Sequence, residues 1–146
     1  MRDKEIELLF PNLAAGNYFI TSPKTTAYNC IAWAAEDQER WWWPDSLGIY
    51  YWPKSAPRSE TLDAFITAYK TLGYQVCYNG GFEHGFKKIA IYVGENGKPS
   101  HAARLLSPTQ WTSKLGRLYD IAHEIGGVSG TSYGQIAVFM KKSHTE

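Results

Sequence analysis

The clearest periodicity lies after Ser59, where Leu62, Phe65, Ile66, Tyr69 and Leu72 recur at three- and four-residue intervals and predict an amphipathic helix. Ser59 is the expected cap, Glu60 suits the positive end of the helix, and Gly73 ends it. Beyond Gly73 the period shortens to two. Tyr74, Val76 and Tyr78 alternate with Gln75 and Cys77, and Ile89, Ile91 and Val93 alternate again, so both stretches predict strands. Between Val93 and His101 stands Asn96-Gly97, a pair tolerant of positive φ; it predicts a hairpin that returns residues 101–106 antiparallel beside 88–93, with His101 opening the returning strand. A short strand over 110–113 and an apolar strand over 135–140 complete the second half.

The first half is less regular. Residues 5–10 are apolar and stop at Pro11, and no element is assigned there. Thr25, Thr26 and Asn29 are helix-initiating types, after which Cys30, Trp33 and Ala34 share one helical face, so Cys30 is expected in a first helical turn. Residues 41–57 are aromatic and broken by Pro44, Gly48, Pro53 and Pro57, which predicts an irregular segment packed by its rings. Helices come first and an antiparallel sheet follows, with no repeat or linker: a single α+β domain over residues 1–146.

Composition narrows the function. With 146 residues and 44 % hydrophobic content, one core forms without a metal or disulfide staple. Fifteen Lys and Arg balance fourteen Asp and Glu, so no global field draws the chain to nucleic acid or to an anionic membrane. No apolar run approaches the roughly 20 residues of a spanning helix, and the opening Met1-Arg2-Asp3-Lys4-Glu5 is not a secretory signal. A cytoplasmic address is expected, where Cys30 and Cys77 are free thiols. Neither cysteine has a partner at metal-ligand spacing, and the glycines of 126–134 form a flexible loop rather than a phosphate cradle, so no metal and no cofactor is expected. His84, His123 and His144 belong to no pattern, and Cys77 reads as packed within its strand.

Candidate chemistry centres on Cys30. A thiol attacks as thiolate, and a helix N-terminus plus a nearby imidazole lowers its pKa from about 8.5. His101 is the candidate base if its strand packs against the helix of Cys30. A polar residue about a dozen positions later returns to the same end of an antiparallel pair, which selects Ser113, with Thr112 and Gln110 as neighbours, to orient the imidazole. Asn29 or Thr25 would join the Cys30 N–H in holding an oxyanion. Trp42 and Trp52, in a segment that also holds Trp41 and Trp43, either line a substrate groove or fill the core.

The blocks Tyr28-Asn29-Cys30-Ile31-Ala32-Trp33-Ala34, Trp41-Trp42-Trp43-Pro44, His101-Ala102-Ala103-Arg104 and Trp111-Thr112-Ser113-Lys114-Leu115-Gly116 resemble those of an uncharacterised bacterial protein family. The order of a cysteine heading a helix, a strand histidine and a polar residue on the next strand resembles the papain-like cysteine hydrolases. That resemblance implies a papain-like fold and thiol-dependent hydrolysis or acyl transfer on a protein, peptide or small amide or ester. Papain-like enzymes orient the histidine with Asn, Asp, Gln or another His; Ser113 departs from that pattern, and Asp120 is the alternative. From another class comes a catalytically silent binding module that grips a protein or glycan through its Trp-rich surface.

Overall fold

The computed structural model describes residues 2–144; Met1, Thr145 and Glu146, at the ends of the expected 1–146 domain, lie outside the described residues. The fold is α+β: a seven-stranded antiparallel sheet with short helices on both faces. Helices α1 (Lys4–Leu9) and α2 (Pro11–Ala15) open the chain and lead into the edge strand β1 (Tyr18–Ser22). Asp3 caps α1 by accepting from Ile6 N, and Pro11 at the first position of α2 replaces an N–H that no helix would use. These elements have too few turns to be visible as a period.

Helix α3 (Cys30–Ala34) follows, then the aromatic segment, then α4 (Leu62–Lys70). The cap of α4 is Thr61, whose Oγ1 accepts from Ala64 N, whereas Ser59 bonds only to the Thr61 hydroxyl. The helix therefore starts two residues later than the sequence pattern suggested. The strands are β2 (Gln75–Cys77), β3 (Phe86–Val93), β4 (Pro99–Ser107), β5 (Gln110–Lys114), β6 (Asp120–His123) and β7 (Gln135–Ser143), in the spatial order β1-β6-β5-β4-β3-β7-β2.

Strand β4 returns beside β3 with Tyr92 opposite His101 and Ile91 opposite Ala102. The connecting turn uses positive φ at Gly97 alone; Asn96 contributes instead by accepting from Lys98 N through Oδ1. Alternation then assigns the faces. Ile89, Ile91, Ala102 and Met140 pack with Ile31, Trp42, Trp52, Phe65 and Tyr69 of the α3 and α4 layer. Ala90, Tyr92, Ala103, Trp111 and Ile121 pack on the other face with Ile6, Phe10 and Leu13 of α1 and α2. The β4–β5 ladder runs from Arg104 opposite Thr112 to Ser107 opposite Gln110; beyond Thr112, β5 pairs on with β6 and β4 pairs on with β3.

The aromatic segment is irregular and ring-packed, as its prolines implied. Trp43 N donates to Tyr51 O and Tyr51 N to Trp41 O, closing it on itself, and Trp43 and Trp52 both set their rings edge-on to Phe65.

Candidate functional site

Asn29 begins the site. Its backbone is extended and its Oδ1 accepts from Ala32 N at 3.1 Å, the bond that starts α3. The same oxygen accepts from Trp42 N at 3.1 Å, and Nδ2 donates to Trp42 O at 2.7 Å. One amide thus fixes both the head of the Cys30 helix and the aromatic segment. Asn29 is a structural clamp, occupied on both atoms. Thr25 serves a local turn, its Oγ1 accepting from Ala27 N, and does not cap α3. Trp42 and Trp52 are 2 % and 4 % exposed, with their indole N–H groups given to Asp37 and to the Pro57 carbonyl. They are core residues, because burying their area outweighs presenting them to a partner, and the expected Trp-rich surface does not include them.

Cys30 is the first residue of α3, 7 % exposed, and free. Burial pushes its thiol up to about 11; the backbone N–H groups of Ala102, Ile31 and Cys30 itself, and the Lys114 charge, act the other way without offsetting it. The lowered pKa expected at a helix head is thus reversed in the resting protein. A five-residue helix offers a modest end field, and desolvation of a buried anion is the larger effect.

His101 is fully buried on the opposite face of β4, its ring stacked on Tyr133 at 3.9 Å and 7° and edge-on to Tyr92. Its Nε2 lies 2.9 Å from Ser113 Oγ, so the expected His101–Ser113 contact forms. Ser113 Oγ also lies 2.7 Å from His123 Nε2, and His123 Nδ1 lies 2.6 Å from the Glu124 carbonyl. Burial pushes His123 down to about 4; burial, then His123, pushes His101 well below the usual histidine range, so both rings are neutral at pH 7.

Proton counting then fixes the tautomers. The Glu124 carbonyl only accepts, so His123 carries its proton on Nδ1 and leaves Nε2 as an acceptor. Ser113 must donate to that Nε2, and its oxygen is then free to accept from His101. His101 therefore carries its proton on Nε2. Its Nδ1 is a bare lone pair, buried and without a hydrogen-bond partner among the described residues.

The thiol and the imidazole enter β4 from opposite faces. Cys30 lies against the N–H of Ala102, the residue that follows His101, and it acts electrostatically on Tyr133, the ring that covers His101. The backbone of β4 stands between the two side chains, and no hydrogen bond joins them among the described residues.

His123 completes this group without having stood out in the sequence. The return rule that led from His101 to Ser113, applied once more across the turn between β5 and β6, leads ten positions on to His123. Asp120, the alternative orienter, lies elsewhere: it alternates to the α3 face, where Tyr28 donates to its Oδ2 at 2.5 Å. Lys114 is fully buried on that face; burial lowers its pKa, while Asp120 and Cys30 raise it. The loop 126–134 is anchored rather than loose: Asn12 Nδ2 donates to the Gly126 and Ser129 carbonyls, and Ser100 donates to Tyr133 O. Gly134 has φ of 79°, and a Cβ there would stand 1.9 Å from Val93 O, so only glycine lets this loop reach β3. Among the described residues no helix is long and apolar enough to cross a membrane.

Residues 19–141 match the model of a domain of unknown function (DUF7689), and the chain belongs to that family. No curated protein and no solved structure matches the chain.

Proposed function

Taking the chain as a member of that family, we propose that it is a thiol-dependent hydrolase or acyltransferase of papain-like type, with Cys30 as nucleophile and His101 as general base. The observation that carries this reading is the bare Nδ1 of His101. A buried imidazole whose other nitrogen is tied into a neutral relay, and whose free lone pair has no partner, is arranged to take a proton from a neighbouring acid. Cys30 lies against the backbone N–H of Ala102, the residue that follows His101.

Thiol and imidazole are both neutral at rest, so attack is coupled to proton transfer rather than starting from an ion pair. As Cys30 Sγ bonds to the carbonyl carbon of an amide or ester, its proton passes to His101 Nδ1 through a bridging water, because the two side chains stand on opposite faces of β4. The imidazolium that forms is held by Ser113, which accepts from Nε2–H and donates to His123, so positive charge develops against a pre-set dipole. Collapse breaks the bond to the leaving nitrogen or oxygen, which takes the proton back from Nδ1 through the same water and leaves a thioester on Cys30. Water or an amine, deprotonated by the same nitrogen, then releases the acid or the new amide and restores the thiol.

The test is intact-mass analysis after exposure to para-nitrophenyl acetate. The expected result is one acetyl group on Cys30 that forms about a hundredfold more slowly in His101→Ala. Acetylation that ignores His101, or that falls on Cys77 and not on Cys30, would sink the mechanism.

The exposed tip of the aromatic segment, Leu47 at 82 % and Ile49 at 70 %, favours the second reading of a silent binding module for a protein or glycan. That reading predicts partner binding lost in Leu47→Ser with Ile49→Ser and retained in Cys30→Ala; the reverse pattern would remove it.

A further inference from the structure

The α3 face of the sheet buries polar groups that the histidine relay does not use. Cys30 lies against Ala102 on β4, while Lys114 on β5 and Asp120 on β6 face each other in register. The Lys114 ammonium donates to the Gly116 and Leu118 carbonyls, each at 2.7 Å, lies 5.5 Å from the Tyr28 ring centroid, and has no third oxygen partner among the described residues. Asp120 receives the Tyr28 hydroxyl on Oδ2, but its Oδ1 is buried with no hydrogen-bond partner among the described residues. No ion pair within 4 Å joins Lys114 to Asp120 among the described residues. A bare carboxylate oxygen beside a buried cation is a costly arrangement unless something donates to it.

The chemistry of that something is narrow. The charges of Lys114 and Asp120 cancel, so the complement is a neutral group. It needs an N–H or O–H for Oδ1 and an oxygen for the ammonium. A carboxylate meets repulsion at Asp120, an ammonium meets it at Lys114, and an ester has no donor to offer. A carboxamide has both, with its carbonyl carbon between them.

We propose that Asp120 Oδ1 and the Lys114 ammonium hold the carboxamide of the substrate beside Cys30, so that amides rather than acids or esters are the substrate class. This rests on the thiol reading above. Lys114 and Asp120 are fully buried and Cys30 is 7 % exposed, so a ligand enters the row by local opening of the α3 layer. In the reaction the amide C–N bond breaks, the nitrogen leaves with the proton returned from His101 through the bridging water, and Oδ1 holds an N–H of that nitrogen until it departs.

The test compares iodoacetamide with iodoacetate at Cys30, with Cys77 of the same chain as reference. The two reagents place a carboxamide or a carboxylate next to the same attacked carbon. The iodoacetamide-over-iodoacetate rate ratio at Cys30 is expected to exceed that at Cys77 by about tenfold, the scale of one hydrogen bond to a charged group. Asp120→Asn is expected to reverse the preference. Tyr28, a donor, would hold the oxygen of the new side chain and turn its NH₂ toward the reagent. Because that variant can fail to fold, wild type supplies a second measurement: acetamide, and not acetate, slows modification of Cys30 by methyl methanethiosulfonate. Equal ratios at the two cysteines, or equal protection by acetamide and acetate, mean that the row holds buried water only; they overturn the slot and leave the thiol chemistry standing. A folded Cys30 that resists all three reagents overturns both.

Discussion

On one face of β4–β6, His101, Ser113 and His123 form a neutral hydrogen-bonded line that ends in a nitrogen without a partner among the described residues. On the other face, at the same end of the same strands, Lys114 and Asp120 are buried with their charges and end in a single bare oxygen. Neutral groups are cheap to bury once bonded, and they keep their arrangement as long as no proton is added. Charged groups hold a field in the same volume at a larger desolvation cost. The difference teaches a division of labour: the neutral face is suited to moving a proton, the charged face to orienting a polar ligand.

The largest expected effect comes from adding protons to the neutral face. His123 is held down to about 4 and His101 lower than the usual range, whereas in the unfolded chain each titrates near its ordinary value of about 6.5. Depressed folded values mean that the unfolded state binds more protons below about pH 6.5, so the contribution is complete above that pH and is lost as pH falls through the folded values. Between pH 7.5 and 5 the loss from His123 is about 2 kcal/mol, and His101 adds to it in the same direction. Urea unfolding at the two pH values checks it; a flat profile would remove the buried neutral pair.

Next is the clamp shared by the α3 layer. Asn29→Ala removes the cap and both bonds to Trp42, and is expected to cost about 2–3 kcal/mol with lost near-ultraviolet circular dichroism from the tryptophans. A smaller change separates the faces directly. Ser113→Ala leaves two imidazole nitrogens facing a methyl group, with an expected cost of about 1–3 kcal/mol and a slower acetylation of Cys30. The neighbouring Thr112→Val, on the α3 face, loses bonds to Trp33 Nε1 and to the Ile121 carbonyl; it is expected to cost about 1 kcal/mol and to leave acetylation unchanged. Equal kinetic effects of the two variants would erase the distinction between the faces.

Elements whose own residues carry a period were legible in the sequence. The helix of the Leu62 stripe and the strand of Ile89, Ile91 and Val93 form where the pattern puts them, with α4 closing at Lys70 before Leu72, and the returning strand opens at Pro99, two residues ahead of His101. β6 was not legible, because Asp120, Ile121, Ala122 and His123 are all buried and a strand covered on both faces shows no alternation. The same holds for the site. Cys30 at a helix head and His101 bonded to Ser113 follow from cap residues and hairpin spacing. The sequence left Trp52 open between groove and core and gave no sign that Lys114 is buried, because residue type predicts burial only on average.

What the sequence determined by itself is therefore local: which residues begin helices, which alternate, and which polar side chains return to one end of a hairpin. Which face each side chain joins depends on the register of strands far apart in the chain. Only tertiary structure set His101 and Asp120 on opposite faces, withdrew water from Cys30 until its thiol rose to about 11, and left one nitrogen and one oxygen without partners. The physical reason is that proton affinity and hydrogen-bond satisfaction are set by what surrounds a group in space, and those surroundings come from layers that the sequence brings together across a hundred residues.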